Sequence, residues 1–274
     1  MKEVVLSVKR GPEVPVDASQ ISPDSLAQKS TTAIKRIKIW NGNQEVNLSQ
    51  IFDVEGDAKV PPNELTVKIV GNTTRIRKIG YEMKAGSIVI DGDTGMYLGE
   101  KIAGGSIVVN GNAGSWLGSR MKGGTIEVKG DAGDYVGSSY RGSTKGMKGG
   151  TIVVHGNAGG EIGCWMREGM IRIRGNTGMF PGMHMSGGTV AIEGSCEGRA
   201  GAQMTGGRVV VGGHVPAVLP SFTIEEVRPT VKVGEEKVAG PFYVFSGDIN
   251  ENGKGRLFIN VNNNPNLKWC EKYL

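Results

Sequence analysis

Cysteine, aromatic residues and long apolar runs are all scarce in this 274-residue chain, and each scarcity removes a class of protein. The three cysteines, Cys164, Cys196 and Cys270, are odd in number, widely spaced and without a CxxC pair, which leaves neither a disulfide framework nor a zinc or iron–sulfur motif. No segment approaches twenty unbroken apolar residues, so no membrane span is expected. The opening MKEVVLSVKRGPEVP holds an apolar stretch too short and too broken by charge for a secretory signal, which makes a cytoplasmic location the expectation. The formal charge of +5 is mild and its lysines and arginines are interspersed with acids, a pattern that argues against nucleic acid as a partner. Glycine is the exception: its 45 residues exceed the usual share, yet they lack the every-third-residue order of collagen.

The glycines follow a longer period. Units begin at Met83, Ile102, Met121, Met147, Met166, Met185 and Met204, nineteen residues apart except for one interval of twenty-six. Three positions into every unit stands Gly86, Gly105, Gly124, Gly150, Gly169, Gly188 or Gly207, and nine positions in stands Gly92, Gly111, Gly130, Gly156, Gly175, Gly194 or Gly213. These fourteen are read as structural glycines, since a chain turning every five or six residues needs positive φ or close backbone approach. A third column runs Gly99, Gly118, Gly137, Gly163, Gly182 and Gly201. Between the first two columns lie alternating, β-branched stretches such as SIVID, SIVVN, TIEVK and TIVVH, which read as short strands. Their apolar positions form two columns on one face, from Ile88 to Val209 and from Ile90 to Val211. Each unit supplies about four apolar side chains, too few to stand alone, and must bury them against its neighbours.

The fold this predicts is all-β: a parallel β-helix of seven 19-residue glycine-rich coils, with a small N-terminal extension and a C-terminal cap. The expected divisions are an extension over 1–66, the glycine-repeat β-helix over 67–215 and a cap and tail over 216–274. Within the extension, EVVLSVK and AIKRIKIW read as strands, SPDSLAQK as a short helix and Asn41-Gly42-Asn43 as a turn.

No catalytic constellation stands out. The string from Gly156 to Gly163, GNAGGEIG, imitates a dinucleotide-binding loop, but the same glycines recur in every unit before another strand rather than opening a helix. His155, His184 and His214 occupy different repeat positions, so no face collects them as metal ligands. Neither a catalytic residue nor a cofactor or metal site is therefore expected in this chain. The outward column Val89, Val108, Glu127, Val153, Arg172, Ala191, Val210 is more apolar than a solvated face needs, and Val89, Val108, Val153 and Val210 are read as a docking face. Valine's preference for strands accounts for them equally simply. The insertion Ser138 to Gly146, with Tyr140, Arg141 and Lys145, is either a partner contact or a tolerated surface loop. A basic column at Lys84, Lys122, Lys148 and Arg167 is either a seat for an acidic partner or a solvated edge. A free-standing ligand-binding β-helix would show an aromatic groove in register, but the column Tyr97, Trp116, Tyr135 and Phe180 is interrupted by Glu161 and Arg199.

MKGGTIEVKGDAGDYVG and MKGGTIVVHGNAGGEIG resemble the glycine-repeat domain shared by the C-terminal region of glutamate synthase and the C subunit of formylmethanofuran dehydrogenase. The tail PFYVFSGDINENGKGRLFINVNNNPNLK and the N-terminal extension are similar to that C subunit. The resemblance implies a non-catalytic structural subunit of a complex that reduces CO2 and forms N-formylmethanofuran with ferredoxin as electron donor. It implies molybdopterin, amidohydrolase-like and ferredoxin-like partner subunits, which would carry a molybdenum or tungsten pterin, iron–sulfur clusters and a binuclear metal site. The alternative is a glutamate-synthase-like domain working beside flavin-dependent subunits.

Overall fold

Alternation of β-branched and polar residues decides where strands form, and in the computed structural model, which describes residues 2–274, that alternation extends well beyond the repeats. The N-terminal segment contains β1 (Lys2–Val8), β2 (Val16–Asp17), α1 (Pro23–Leu26), α2 (Thr31–Lys35), β3 (Lys38–Asn41), β4 (Gln44–Asn47), α3 (Leu48–Ile51), β5 (Phe52–Glu55), β6 (Leu65–Val70) and β7 (Ile76–Arg77). The repeats give β8 (Ser87–Asp91), β9 (Ser106–Val109), β10 (Thr125–Val128), β11 (Lys148–Val154), β12 (Glu168–Ile173), β13 (Ser186–Ile192) and β14 (Gly206–Val211). The C-terminal segment adds β15 (Thr223–Val233), β16 (Glu236–Gly247) and β17 (Gly255–Asn260).

These strands do not form the expected all-β, seven-coil parallel β-helix closed by separate end pieces. Thirteen of them make one mixed sheet in the order β15-β16-β17-β14-β13-β12-β11-β10-β9-β8-β6-β1-β5, and β4-β3-β2-β7 make a second sheet of four. The reason for the difference is backbone pairing. EVVLSV, LTVKIV and GRLFIN carry an alternation like that of the repeats outside the nineteen-residue register, and they extend the sheet in both directions. β1 pairs parallel with β6, β6 with β8, and β17 with β14, while β5, β15 and β16 add antiparallel neighbours. Three short helices accompany the N-terminal strands. The segment AIKRIKIW is also not one strand, because Ser30 caps a helix by accepting the Ala33 N–H at 3.3 Å, and only Lys38 onward is extended. β3 and β4 form a hairpin over Gly42, whose φ is +62°.

Within the repeats, Ile88, Ile107, Ile126, Ile152, Ile171, Val190 and Val209 align residue for residue across successive strands and are all buried. The methionines that open the units and the column Leu98, Leu117, Val136 and Ile162 are equally buried and complete the core. Outside the strands, single parallel bridges link Thr73, Thr94, Ala113, Ala132, Ala158, Thr177 and Cys196 in succession. Both glycine columns lie close to the preceding unit, and the first also takes positive φ: that of Gly124 is +81°, and a Cβ on Gly130 would lie 2.3 Å from Asn112 Oδ1 and 2.9 Å from the Gly111 carbonyl oxygen. One edge of the large sheet is β15, where Pro229, two register shifts and the ion pair between Arg228 and Glu226 oppose further strand addition, and the other is β5. Among the described residues no helix is long and apolar enough to cross a membrane.

Candidate functional site

Three surfaces arise from residues that repeat at the same place in successive units. On the outward face of the large sheet, Val89, Val108, Glu127, Val153, Arg172, Ala191, Val210 and Phe258 stand in register across neighbouring strands. Its C-terminal end is covered by the chain itself: Ala191 and Val210, each 4 % exposed, pack with Val231, Val233, Phe242, Val244 and Phe258 of the β15–β16 hairpin and β17. Arg172 fixes that cover by pairing with both Glu193 and Glu236. Val89, Val108 and Val153 lie beyond the hairpin and remain partly exposed. Glu127 interrupts them, held by Lys129 and by His155, whose Nε2 is 2.7 Å from Glu127 Oε1.

A second surface is an aromatic stack. Tyr97, Trp116 and Tyr135 each take left-handed backbone, with φ between +59° and +66°, and are half-buried. Tyr97 and Trp116 stack with centroids 5.2 Å apart, and Trp116 and Tyr135 at 4.4 Å. The insertion folds back onto the stack: Tyr140 lies 6.5 Å from Tyr97, and Arg141 donates to the Tyr135 hydroxyl at 3.0 Å. Phe180 does not join it; Arg199 covers that ring instead, 5.5 Å from its centroid. Between the stack and the four-stranded sheet opens a cleft of about 840 Å³ that includes Asp17, Arg77, Lys78, Tyr81, Glu100 and Tyr140. Burial opposes the charge of Asp17, but hydrogen bonds from Lys78, at 2.6 Å, and Ser19 outweigh it and hold the carboxyl below its usual range.

Glu100 goes the other way, because burial pushes its carboxyl above the usual value in spite of Lys101, Lys78 and Arg120 nearby. The folded chain therefore holds this proton more tightly than the unfolded one. The resulting penalty is absent below the ordinary Glu value of 4.5 and complete once pH exceeds the raised folded one. Glu100→Gln is expected to be more stable than the parent at pH 7, with the advantage vanishing below about pH 4.5. Urea midpoints measured across pH test this, and a variant no more stable than the parent at neutral pH would refute it.

The third surface is a basic trough of about 420 Å³ lined by Lys101, Arg120, Lys122, Lys145, Lys148 and Arg167, with Glu82 at one end. It unites three members of the basic column with Lys145 of the insertion, whereas Lys84 stands apart and its N–H donates to Asp24. Sequence reasoning missed Arg120 and Lys101, which project from left-handed positions in the turn preceding the next unit.

It also missed an acid–amide ladder. Asp93, Asn112, Asp131, Asn157 and Asn176 each accept, through a side-chain oxygen, the backbone N–H one unit further on, at 2.7–2.8 Å. The signal was available, because Asp or Asn follows the second glycine in five consecutive units. All three thiols are buried and free, and burial pushes Cys164 up to about 12 and Cys196 up to about 11. Among the described residues no group of three or more His, Cys, Asp or Glu side chains converges as a metal site. His184 stacks on Trp165 at 4.2 Å, and the His214 N–H donates to Ser195 Oγ at 2.9 Å.

No protein-family model matches the sequence. The C subunit of the tungsten-containing formylmethanofuran dehydrogenase 2 of Methanococcus maripaludis is 49 % identical over 97 % of this chain and 100 % of its own length. The C subunit of the molybdenum-containing formylmethanofuran dehydrogenase 1 of Methanosarcina barkeri is 38 % identical over 36 % of this chain and 33 % of its own. Among solved structures, a chain of the formyltransferase/hydrolase complex of Methylorubrum extorquens, crystallised with methylofuran, superposes with a TM-score of 0.82 at 29 % identity, covering 93 % of this chain and 99 % of that one. The glycine-punctuated units, the strands that extend them at both ends and the near-full-length identity agree: this chain belongs to the family of formylmethanofuran dehydrogenase C subunits.

Proposed function

We propose that this chain is a non-catalytic structural subunit of the formylmethanofuran dehydrogenase complex, whose other subunits reduce CO2 and form N-formylmethanofuran with ferredoxin as electron donor. Its partners in this reading are the molybdopterin, amidohydrolase-like and ferredoxin-like subunits, and the complex works in the cytoplasm. Those partners carry the tungsten or molybdenum pterin, the iron–sulfur clusters and the binuclear metal site; the relatives named for tungsten and for molybdenum support one metal of that pair. The repeats over 67–215 act as the platform, flanked by 1–66 and 216–274. A neighbour of the same fold sits in a complex named for formyl transfer and hydrolysis, which supports a role independent of any one reaction.

The observation that carries this reading is the partly exposed line of Val89, Val108 and Val153 on a sheet held in register on both sides. A rigid platform with an apolar strip holds partners in fixed relation, so that a small intermediate passes between their sites. Anaerobic purification of the tagged chain from its host, followed by mass spectrometry of the co-purifying subunits, tests the assignment. Recovery alone, or with flavin-dependent glutamate synthase subunits, would sink it. Carrying both Val108→Asp and Val153→Asp, the chain is expected to keep its parent's melting temperature and to lose the complex. Apolar anchors that contribute about 1 kcal/mol each would together weaken retention by about thirtyfold when both are lost. Undiminished assembly of the double variant would refute the docking face.

A further inference from the structure

The basic trough holds more positive charge than the chain neutralises. Of its six cations, Lys101 alone has an ion-pair partner, Glu82 at 3.0 Å; among the described residues no carboxylate lies within 4.0 Å of the other five. Their placement is specific. The Lys148 N–H donates to the Met121 carbonyl and the Arg167 N–H to the Met147 carbonyl, both at 2.8 Å, so Lys122, Lys148 and Arg167 stand on successive units about 4.8 Å apart. Like charges at that spacing repel, and strand packing alone does not call for cations in those positions. The one irregular interval in the repeat adds to the charge rather than relieving it. Its insertion brings Lys145 to the trough, and the Thr144 carbonyl accepts Arg167 Nη2 at 3.0 Å, tying the loop down there.

We propose that this trough seats an acidic segment of a partner subunit, whose carboxylates neutralise Lys122, Lys145, Lys148 and Arg167. The proposal rests on the subunit reading above and says which kind of chain the trough receives. The chemistry of the lining favours polypeptide carboxylates over the other anions. A single-stranded nucleic acid site combines cations with stacking aromatics, and the lining contains no aromatic side chain. A compact phosphate site draws on converging backbone N–H groups, whereas here the donors are long side chains spread over several units, suited to charges spaced along a segment.

The test compares the intact, nuclease-treated complex with the isolated full-length chain. Acetylation of lysines is read by mass spectrometry in both, and a zero-length carbodiimide couples lysines to contacting carboxylates in the complex. The expected result is several-fold lower acetylation of Lys122, Lys145 and Lys148 in the complex, with cross-links from them to Asp or Glu of another subunit. Chain carrying Lys122→Glu and Lys148→Glu should fold as the parent does and be retained about tenfold less well, with a reduced salt dependence. Equal acetylation in an assembled complex overturns the trough proposal and leaves the subunit reading standing. Protection that yields no carboxylate cross-link overturns the acidic segment as occupant. Recovery of the chain without partners overturns the reading on which both rest.

Discussion

Alanine in place of Gly124 is expected to destabilise the chain by about 2–5 kcal/mol, the sum of a left-handed backbone penalty and an overpacking penalty. The backbone there has φ +81°, and a Cβ would lie 2.7 Å from the Gly105 carbonyl oxygen and 3.0 Å from the Gly104 carbonyl carbon. Neither neighbour can yield cheaply, because both are backbone atoms of the preceding unit. On the other side, Gly150 presses against the Gly124 carbonyl in the same way, so a shift at one unit propagates to the next. Such a loss is a large share of a typical domain's stability of about 5–15 kcal/mol. Gly142 in the insertion supplies the control: its φ is +79°, but nothing lies within 4 Å of its Cβ position. Gly142→Ala should therefore cost only about 1–2 kcal/mol. Urea midpoints of the two full-length variants separate strain from close approach, and equal losses would rule out a contribution from close approach.

Phe242→Ala is expected to cost about 3–5 kcal/mol, and to cost it locally. The ring is 1 % exposed and joins Val231, Val233, Val244 and Phe258 over Ala191 and Val210. This cluster is separate from the main core, so its loss loosens the hairpin's seat without opening the repeats. Hydrogen exchange should accelerate in Thr223–Val233 and in the first half of Glu236–Gly247, while Ser106–Val109 and Thr125–Val128 stay protected. Uniform deprotection would mean that the hairpin and the repeats unfold as one unit, coupled through Ile224, Tyr243 and Phe245, which the hairpin contributes to the main core. The outcome also bears on the outward face, because releasing the hairpin would add Ala191 and Val210 to the strip that already exposes Val89, Val108 and Val153.

How much of this was legible beforehand differs from feature to feature. The unit boundaries and the buried columns from Ile88 to Val209 could be read directly, since each residue meets its counterpart in the next unit and packing constraints recur at the same interval. The acid–amide ladder was equally periodic and lay open to the same reading. The aromatic stack was visible as Tyr97, Trp116 and Tyr135, but nothing in the column announced that Tyr140 would fold back to meet it.

What the sequence by itself determined is the set of interactions between neighbours one period apart, together with the family those residues mark. What only the tertiary structure decided is how non-periodic segments attach. β17 pairs with β14 across forty-eight residues, Arg208 opposite Arg256, through backbone groups that every sequence possesses, so no residue pattern announces the partner. The β-helix with separate end pieces gave way to a mixed sheet of thirteen strands for that reason. Val210 looked like its counterparts Val89, Val108 and Val153, yet it is covered because the hairpin folds back onto that end of the sheet. Lys145, Lys148 and Arg167 likewise become one trough through a loop whose course depends on hydrogen bonding to residues outside it. Periodic side chains encode contacts that repeat; contacts made once, through the backbone or through a single loop, exist only in the folded chain.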